Sequence, residues 1–141
     1  MGHFLRTTLA SAAAFAVLAG TAPAAVTGGG YKGKIEYQGY EIKFKVKGGK
    51  IKNISARMLQ DCDRDGYSES FLIAPTGSWK IKGSSFSGKK TDTYGHSKAT
   101  VEFKGKFSGG KVTGSIREWD YVDGNGIVCD TLVRKFTAKR G

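Results

Sequence analysis

The sequence has few of the side chains that hold metal ions or act as catalytic nucleophiles and bases. Only two cysteines and two histidines occur in 141 residues, and His96 is the only histidine beyond residue 24. Because a structural zinc ion takes about four nitrogen or sulfur ligands, no closed zinc site is expected. A Ser–His–acid triad would require His96, whose neighbours Asp92 and Ser97 lie in a polar segment without the glycine pattern of a nucleophile elbow. These absences favour a protein that is not an enzyme, with His96 as a solvated surface side chain.

Apolar runs long enough to cross a membrane are also lacking. The apolar stretch from Leu9 to Ala19 is shorter than the roughly 20 residues that span a bilayer. It follows the basic Arg6 and precedes Ala22-Pro23-Ala24, the small-residue pattern at which signal peptides are cleaved. We therefore predict a signal peptide over 1–24, cleavage near Ala24, and a secreted monomer without a transmembrane segment.

Helical periodicity is absent after the signal peptide, and apolar and polar residues instead alternate in short segments, as is typical of β-strands. In residues 41–47, three apolar residues share one strand face and three lysines share the other. The apolar phase shifts after Ile51, which predicts a β-bulge near Asn53. Residues 88–97 are polar and are predicted to form a loop or a weak sheet edge, and the last strand is predicted over 127–138.

These patterns predict an all-β protein with one domain. A flexible glycine-rich lead-in is expected over 25–32, followed by a single β-domain over 33–141. About eight or nine short strands joined by tight turns predict an antiparallel meander. Whether the meander forms a flattened barrel or a two-sheet sandwich is left open by the sequence.

The two cysteines, Cys62 and Cys129, are predicted to form one structural disulfide. An exported chain favours a disulfide over metal or redox chemistry, and a monomer allows only this pairing. In the chain-entropy model, closing so long a loop stabilises the fold by roughly 4 kcal/mol.

An acidic loop surrounds the first cysteine. Asp61, Asp63 and Asp65 alternate before Gly66, as carboxylates do at the start of a calcium-binding loop. The twelfth position of the EF-hand pattern is Leu72 instead of a glutamate, and no flanking helices are predicted. An EF-hand is therefore rejected, although a calcium site in a β-loop remains an alternative.

Hairpin turns are the favoured interpretation of this loop and of residues 123–126, because Asp-Gly and Asn-Gly pairs suit the positive φ angles of such turns. A disulfide would nevertheless bring the two loops together. The candidate calcium ligands would then be Asp61, Asp63, Asp65, Asp123 and Asn125. No other cofactor is expected.

Charge of one sign dominates the chain, with 23 lysines and arginines against 12 acidic residues and a formal net charge of +11. Such a balance favours anionic partners without specifying them. The alternative is that lysines merely cover solvent-facing strand positions and prevent aggregation of sheet edges. The candidate anion-binding stripe consists of Lys43, Lys45, Lys47, Lys50 and Lys52.

A second candidate region lies late in the chain, where Glu118 and Asp120 alternate with Trp119 and Tyr121. In a regular strand one pair faces the core and the other faces solvent. We expect the aromatic pair to be buried; the opposite arrangement would place it beside Arg117, where it could stack on a sugar. The two carboxylates are also the best candidates for glycan hydrolysis, the weakest of the functional hypotheses.

Three features of the sequence resemble small secreted bacterial β-domain proteins of uncharacterised function. They are the signal peptide, the Phe-x-Gly-x-Phe and Gly-Gly-Lys-Val-x-Gly hairpin over 103–114, and Cys129-Asp130-Thr131 before a final strand. The resemblance implies an exported, disulfide-bearing β-domain and carries over no catalytic residues.

The leading functional hypothesis is a non-enzymatic binding module for an anionic cell-wall polymer, polysaccharide or surface, which would use the lysine stripe. The alternative is an inhibitor or interaction partner of another secreted protein, which would use the acidic loop. Specific nucleic-acid recognition is not expected, because the sequence has neither a recognition helix nor a stacking-platform motif.

Overall fold

The computed structural model describes residues 25–62 and 67–141, so the signal peptide predicted over 1–24 lies outside the described residues. Within the described ranges no helix forms that could span a membrane. The described residues form ten strands: β1 (Gly29–Ile35), β2 (Glu41–Lys47), β3 (Lys50–Cys62), β4 (Tyr67–Ile73), β5 (Ser78–Lys82), β6 (Ser85–Tyr94), β7 (Ser97–Ser108), β8 (Lys111–Val122), β9 (Gly126–Asp130) and β10 (Arg134–Arg140).

All ten strands belong to one antiparallel sheet with a ring-like arrangement. β1 pairs with β2 on one side and with β10 on the other, and β10 also pairs with β8. From β2 the pairing continues through β3, β5, β6 and β7 to β8, so the sheet returns to its start. β4 pairs with β3, and β9 joins the ends of β3 and β8. The predicted all-β antiparallel fold is confirmed.

The strand count exceeds the predicted number of about eight or nine for two reasons. Residues 88–97, expected to be a loop or weak edge, lie mostly in β6, which pairs with β7 from Ser85 to Tyr94. β5 pairs with β6 only at Ser85 and Phe86. The rest of β6 is paired with β7 alone, so it is an edge of the sheet and can be polar. The strand predicted over 127–138 is interrupted at 131–133, where Leu132 has a φ of 57°.

The strand β1 begins within the segment predicted as a flexible lead-in over 25–32. Gly29 to Lys32 are paired to β2, and Tyr31 and Lys32 are also paired to β10. Glycines give little side-chain periodicity, so the strand is held here by backbone hydrogen bonds that the apolar pattern cannot reveal.

A β-bulge lies at Asn53, as the phase shift of the apolar residues predicted. Lys43 is opposite Ser55 and Lys45 is opposite Lys52, so two residues of β3 face the single residue Phe44. Asn53 adopts a φ of 51° and is exposed, whereas the next residue is buried. The bulge therefore turns the Asn53 side chain toward the outer, lysine-bearing face.

The inner face of the sheet carries an aromatic core centred on Phe103. Its ring centroid lies 4.8 Å from that of Phe86, 5.2 Å from Phe136, 5.7 Å from Phe44 and 5.9 Å from Trp79. The indole of Trp79 donates a hydrogen bond of 3.0 Å to the Gly88 carbonyl, so its burial leaves no unpaired donor. Such rings bury large apolar areas and stabilise the closed sheet.

Two glycines make room for this core. Gly105 of β7 and Gly114 of β8 are directly opposite each other. A Cβ atom on Gly114 would lie 2.2 Å from the Lys104 carbonyl oxygen and 2.8 Å from the Phe136 ring. Both positions therefore exclude larger residues because backbone and rings approach closely there.

The predicted disulfide between Cys62 and Cys129 is present. The two residues are directly opposite in the pairing of β3 with β9, next to the pair Asp61 and Asp130. Their sequence separation is 67 residues. The bond therefore links the middle of the chain to its last quarter.

Candidate functional site

The predicted lysine stripe lies on the outer face of β2 and β3, where all five side chains are exposed. Lys45 is directly opposite Lys52, and Lys47 is directly opposite Lys50. Lys80 of β5 extends the second pair because it is directly opposite Lys50. Opposite side chains of antiparallel strands have Cβ atoms about 5 Å apart. We call the sets Lys45–Lys52 and Lys47–Lys50–Lys80 the lysine rows.

The charge of the lysine rows is not neutralised within the described chain. Like charges directly opposite each other destabilise a sheet. Among the described side chains, those of residues 25–62 and 70–141, no carboxylate forms an ion pair with any lysine of either row. An external polyanion would relieve this repulsion, so the rows are a candidate anion-binding surface.

Glu41 pairs with two neighbouring lysines instead. Its carboxylate oxygens lie 2.8 Å from the Lys32 ammonium and 2.5 Å from the Lys43 ammonium. The hydrogen bonds from Lys32 and then Lys43 hold the pKa of Glu41 below its usual value. The carboxylate thus occupies a position on the lysine face that an external anion would also favour.

A depression of about 420 Å³ lies between Glu41's two lysine partners and the lysine rows. We call it the Gly30 depression, after the residue without a side chain that lies opposite Lys45 in β1. Tyr31 and Phe44 contribute to its floor. The exposed residues around it are Lys32, Lys43, Lys45, Asn53 and Gly141, and Ser55 is half-buried.

A separate cleft of 150 Å³ contains the carboxylate pair of β8. Glu118 is only 7% exposed, and Gln60 of β3 is 1% exposed. The Gln60 amide nitrogen donates to Glu118 at 2.6 Å and to Asp120 at 3.1 Å. The Glu118 backbone amide in turn donates to the buried Thr131 hydroxyl at 2.9 Å, which fixes this part of β8.

Burial, together with the negative charge of Asp120, raises the pKa of Glu118 to about 8. A protonated Glu118 can share its hydrogen with Asp120, with which it is hydrogen-bonded. Near neutral pH the buried Glu118 carboxyl group is therefore mostly protonated.

Glycan hydrolysis by these two groups stays a prediction. Glycosidases use a pair of carboxyl groups that flank the scissile bond. Glu118 and Asp120 both accept a hydrogen bond from the same Gln60 amide nitrogen, at 2.6 Å and 3.1 Å. The geometry indicates a buried hydrogen-bonded cluster that joins β3 to β8.

The expectation that Trp119 and Tyr121 are buried is wrong. Tyr121 is 39% exposed and Trp119 is half-buried, whereas Glu118 faces the interior. Gln60, which also points inward, compensates the buried carboxyl by hydrogen bonding, so β8 tolerates this orientation. Two cations lie near Trp119, with Arg117 4.8 Å and Lys89 5.4 Å from the centroid of its ring.

Arg117 also braces the connection between β9 and β10. Its guanidinium forms a two-point interaction with Asp130 at 3.0 Å and 2.5 Å. This pairing lowers the pKa of Asp130, whose carboxylate also accepts the Leu132 amide hydrogen. The Trp119 surface is therefore occupied by intramolecular partners.

The candidate calcium ligands are only partly described. Asp63 and Asp65 lie outside the described residues. Asp61 is the penultimate residue of β3, and Asp123 and Asn125 lie in the turn between β8 and β9. The Asp123 carboxylate lies 3.8 Å from the exposed imidazole of His96. Among residues 25–62 and 67–141, no group of three histidine, cysteine or acidic side chains is arranged to hold a metal ion. The calcium site stays a prediction.

Several residues of these sites were missed in the sequence. Gln60 continues the inward series Ala56 and Met58 with period two, so this spacing could have revealed its burial. The role of Gly30 and the alignment of Lys80 with the stripe depend on strand register, which no local pattern specifies.

No protein-family model, no curated protein and no solved structure matches the chain. The resemblance to small secreted bacterial β-domain proteins therefore stays a prediction. Function is inferred from the residues described above.

Proposed function

We propose that the protein is an exported, non-enzymatic module that binds an anionic polymer, such as an acidic cell-wall polysaccharide, through the lysine rows. The observation that carries this proposal is the in-register alignment of five lysines without a carboxylate partner in the described chain. A disulfide supports an oxidising, extracellular setting.

The shape of the charged surface favours a polymer over a single small anion. Alternate residues of a strand lie about 7 Å apart, and neighbouring strands lie about 4.8 Å apart. Lys45 and Lys47 are alternate residues of β2, so they follow each other along the strand. Lys47, Lys50 and Lys80 are neighbours across the strands β2, β3 and β5. A chain with repeated negative groups can contact several of these ammonium groups at once.

Binding to polygalacturonate, measured by calorimetry at low and high salt, tests the proposal. We expect association at about 50 mM salt that weakens at least tenfold by about 500 mM, because the Debye length shortens and screens exposed charges. Neutral dextran should not bind. Failure to bind polygalacturonate at low salt, or affinity unchanged by salt, would refute binding through the lysine rows.

Matched variants separate the lysine rows from net charge. One variant replaces four lysines of the rows by glutamine: Lys45, Lys47, Lys50 and Lys52. The control replaces four exposed lysines elsewhere by glutamine: Lys98, Lys104, Lys106 and Lys135. We expect at least a tenfold weaker affinity for the first variant and about a threefold change for the second, because only the first removes direct contacts. Equal losses would mean that net charge alone attracts the polymer.

The alternative of an interaction partner for another secreted protein depends on the acidic loop, most of which lies outside the described residues. No contact of the described residues supports it over polymer binding. Pull-down from culture medium with an acidic-loop variant would reveal such a partner.

A further inference from the structure

The Gly30 depression exposes mostly apolar atoms between positively charged side chains. A Cβ atom on Gly30 would meet no atom within 4 Å, so the space above this residue is open. Tyr31 and Phe44 are each 2% exposed and their rings stack inside the core at 5.3 Å, so they contribute main chain to the floor. The walls include the aliphatic stems of lysines, which can cover an apolar ligand surface while their ammonium groups remain in water.

Polar groups of two kinds surround this floor. Lys32, Lys43 and Lys45 supply ammonium groups, of which the last has no carboxylate partner in the described chain. The β-bulge adds the Asn53 amide, and Ser55 adds a hydroxyl. Amide and hydroxyl groups both donate and accept hydrogen bonds, as sugar hydroxyls require.

We infer that the Gly30 depression is a subsite for one acidic sugar ring of the polymer, with the ring over Gly30 and its carboxylate toward Lys45. The inference rests on the proposed function and specifies its ligand. A carboxylated sugar offers an apolar ring face, hydroxyls and a negative charge, which match the floor, the Asn53 and Ser55 groups and the lysines. A polyphosphate chain offers charge without a ring. The volume of 420 Å³ falls within the range of about 300–1,000 Å³ usual for ligand sites.

Filling the depression without changing charge tests this inference. Gly30 does not require a positive φ angle, so Gly30→Leu places a side chain in the open space. The control is Gly110→Leu, since Gly110 also lacks a positive φ and a Cβ there would meet only the Arg140 side chain at 3.8 Å. We expect Gly30→Leu to weaken oligogalacturonate binding about tenfold and to change polyphosphate binding by less than about twofold. Gly110→Leu should alter neither.

A second variant removes a polar group and preserves the backbone. Asn53 has a φ of 51°, which glycine adopts without strain, so Asn53→Gly deletes the amide while retaining the bulge. We expect about fivefold weaker oligogalacturonate binding, since one hydrogen-bonding group is lost, and unchanged polyphosphate binding. Thermal melting of each variant checks that the fold is retained.

The outcomes distinguish the subsite from the proposed function. If the unmodified protein binds polygalacturonate, loses it in the lysine-row variant and retains it in both Gly30→Leu and Asn53→Gly, the subsite is refuted and the proposed function stands. If Gly30→Leu weakens polyphosphate as much as oligogalacturonate, the depression does not select a sugar ring. If the unmodified protein binds neither polymer at low salt, both inferences fall.

Discussion

Glu41 is the acidic residue that pairs with two lysines on the outer face of β1 and β2. It holds the ammonium groups of Lys32 and Lys43 at the rim of the Gly30 depression, whereas the lysine rows have no such internal partner in the described chain. An incoming anion must therefore share these two lysines with Glu41. The residue acts as a local competitor for the proposed ligand.

Replacing this carboxylate should strengthen binding to acidic polymers. We expect Glu41→Gln to raise the affinity for polygalacturonate about threefold to tenfold at low salt, because it releases two lysines and removes a repulsive charge. Glu36→Gln is the matched control, since it changes net charge equally at another exposed position. Calorimetry of both variants would contradict the competition if their affinities rose by the same factor.

Glu118 connects the buried carboxyl cluster to a pH dependence of stability. Its pKa is raised from 4.5 to about 8 by burial and by Asp120, so the folded state binds its proton more tightly than the unfolded state does. The stabilisation is complete below the unfolded pKa and is lost as pH rises from about 4.5 through about 8. The charged or polar groups facing Glu118 are Asp120, Asp130 and Gln60.

Urea unfolding of the unmodified protein and of Glu118→Gln tests this dependence. We expect the unmodified protein to lose about 2–4 kcal/mol relative to the variant between pH 5 and pH 8.5, since one pKa unit corresponds to about 1.4 kcal/mol. The variant keeps a hydrogen-bonding side chain but cannot ionise. A stability difference independent of pH would show that Glu118 ionises in the fold without penalty.

At the scale of strands, alternation in the sequence was sufficient for β2, where lysines and apolar residues point to opposite faces. The shifted phase in β3 likewise revealed the bulge at Asn53. The same reasoning failed at β8, where the inward residues near Glu118 are polar and the outward Trp119 is aromatic. Alternation defines two faces, but it does not say which is inside when a polar cluster replaces the core.

The lysine stripe was predicted from β2 and β3 alone, and the candidate site extends beyond it because of strand register. Lys80 lies opposite Lys50, and Gly30 lies opposite Lys45. β3 and β5 are not consecutive in the chain, so their register depends on the whole sheet. β1 begins with two glycines, so the apolar pattern there specifies its register to β2 only weakly. The depression and the third lysine of the longer row therefore required the structure.

At the scale of the molecule, the fold separates an aromatic interior from a cationic exterior. The ring closes where β10 lies between β1 and β8, which brings the first strand beside the last. The pairing of β10 with β1 joins residues far apart in sequence. Bringing such residues together during folding costs conformational entropy. The backbone pairing of the sheet holds the lysines of β2, β3 and β5 in register.

The disulfide lowers the conformational entropy of the unfolded chain and so offsets part of this cost. It joins β3 to β9, which lies beside the ring of paired strands. It fastens β9 to the end of β3, where only two residue pairs, at Asp61 and Cys62, join those strands. Replacing both Cys62 and Cys129 by alanine should lower the free energy of unfolding by about 2–4 kcal/mol, mainly because the unfolded chain gains freedom across a long loop.

Urea unfolding measures this loss, and hydrogen exchange locates it. We expect faster exchange in β9 and at the end of β3, with the amides of β2 remaining protected, because β2 is paired to both β1 and β3 far from the bond. Affinity for polygalacturonate should change by less than about twofold when the lysine rows keep their register. An unchanged free energy of unfolding in the double variant would show that the disulfide does not stabilise the fold. Loss of polygalacturonate binding would show that the register of the lysine rows depends on β9.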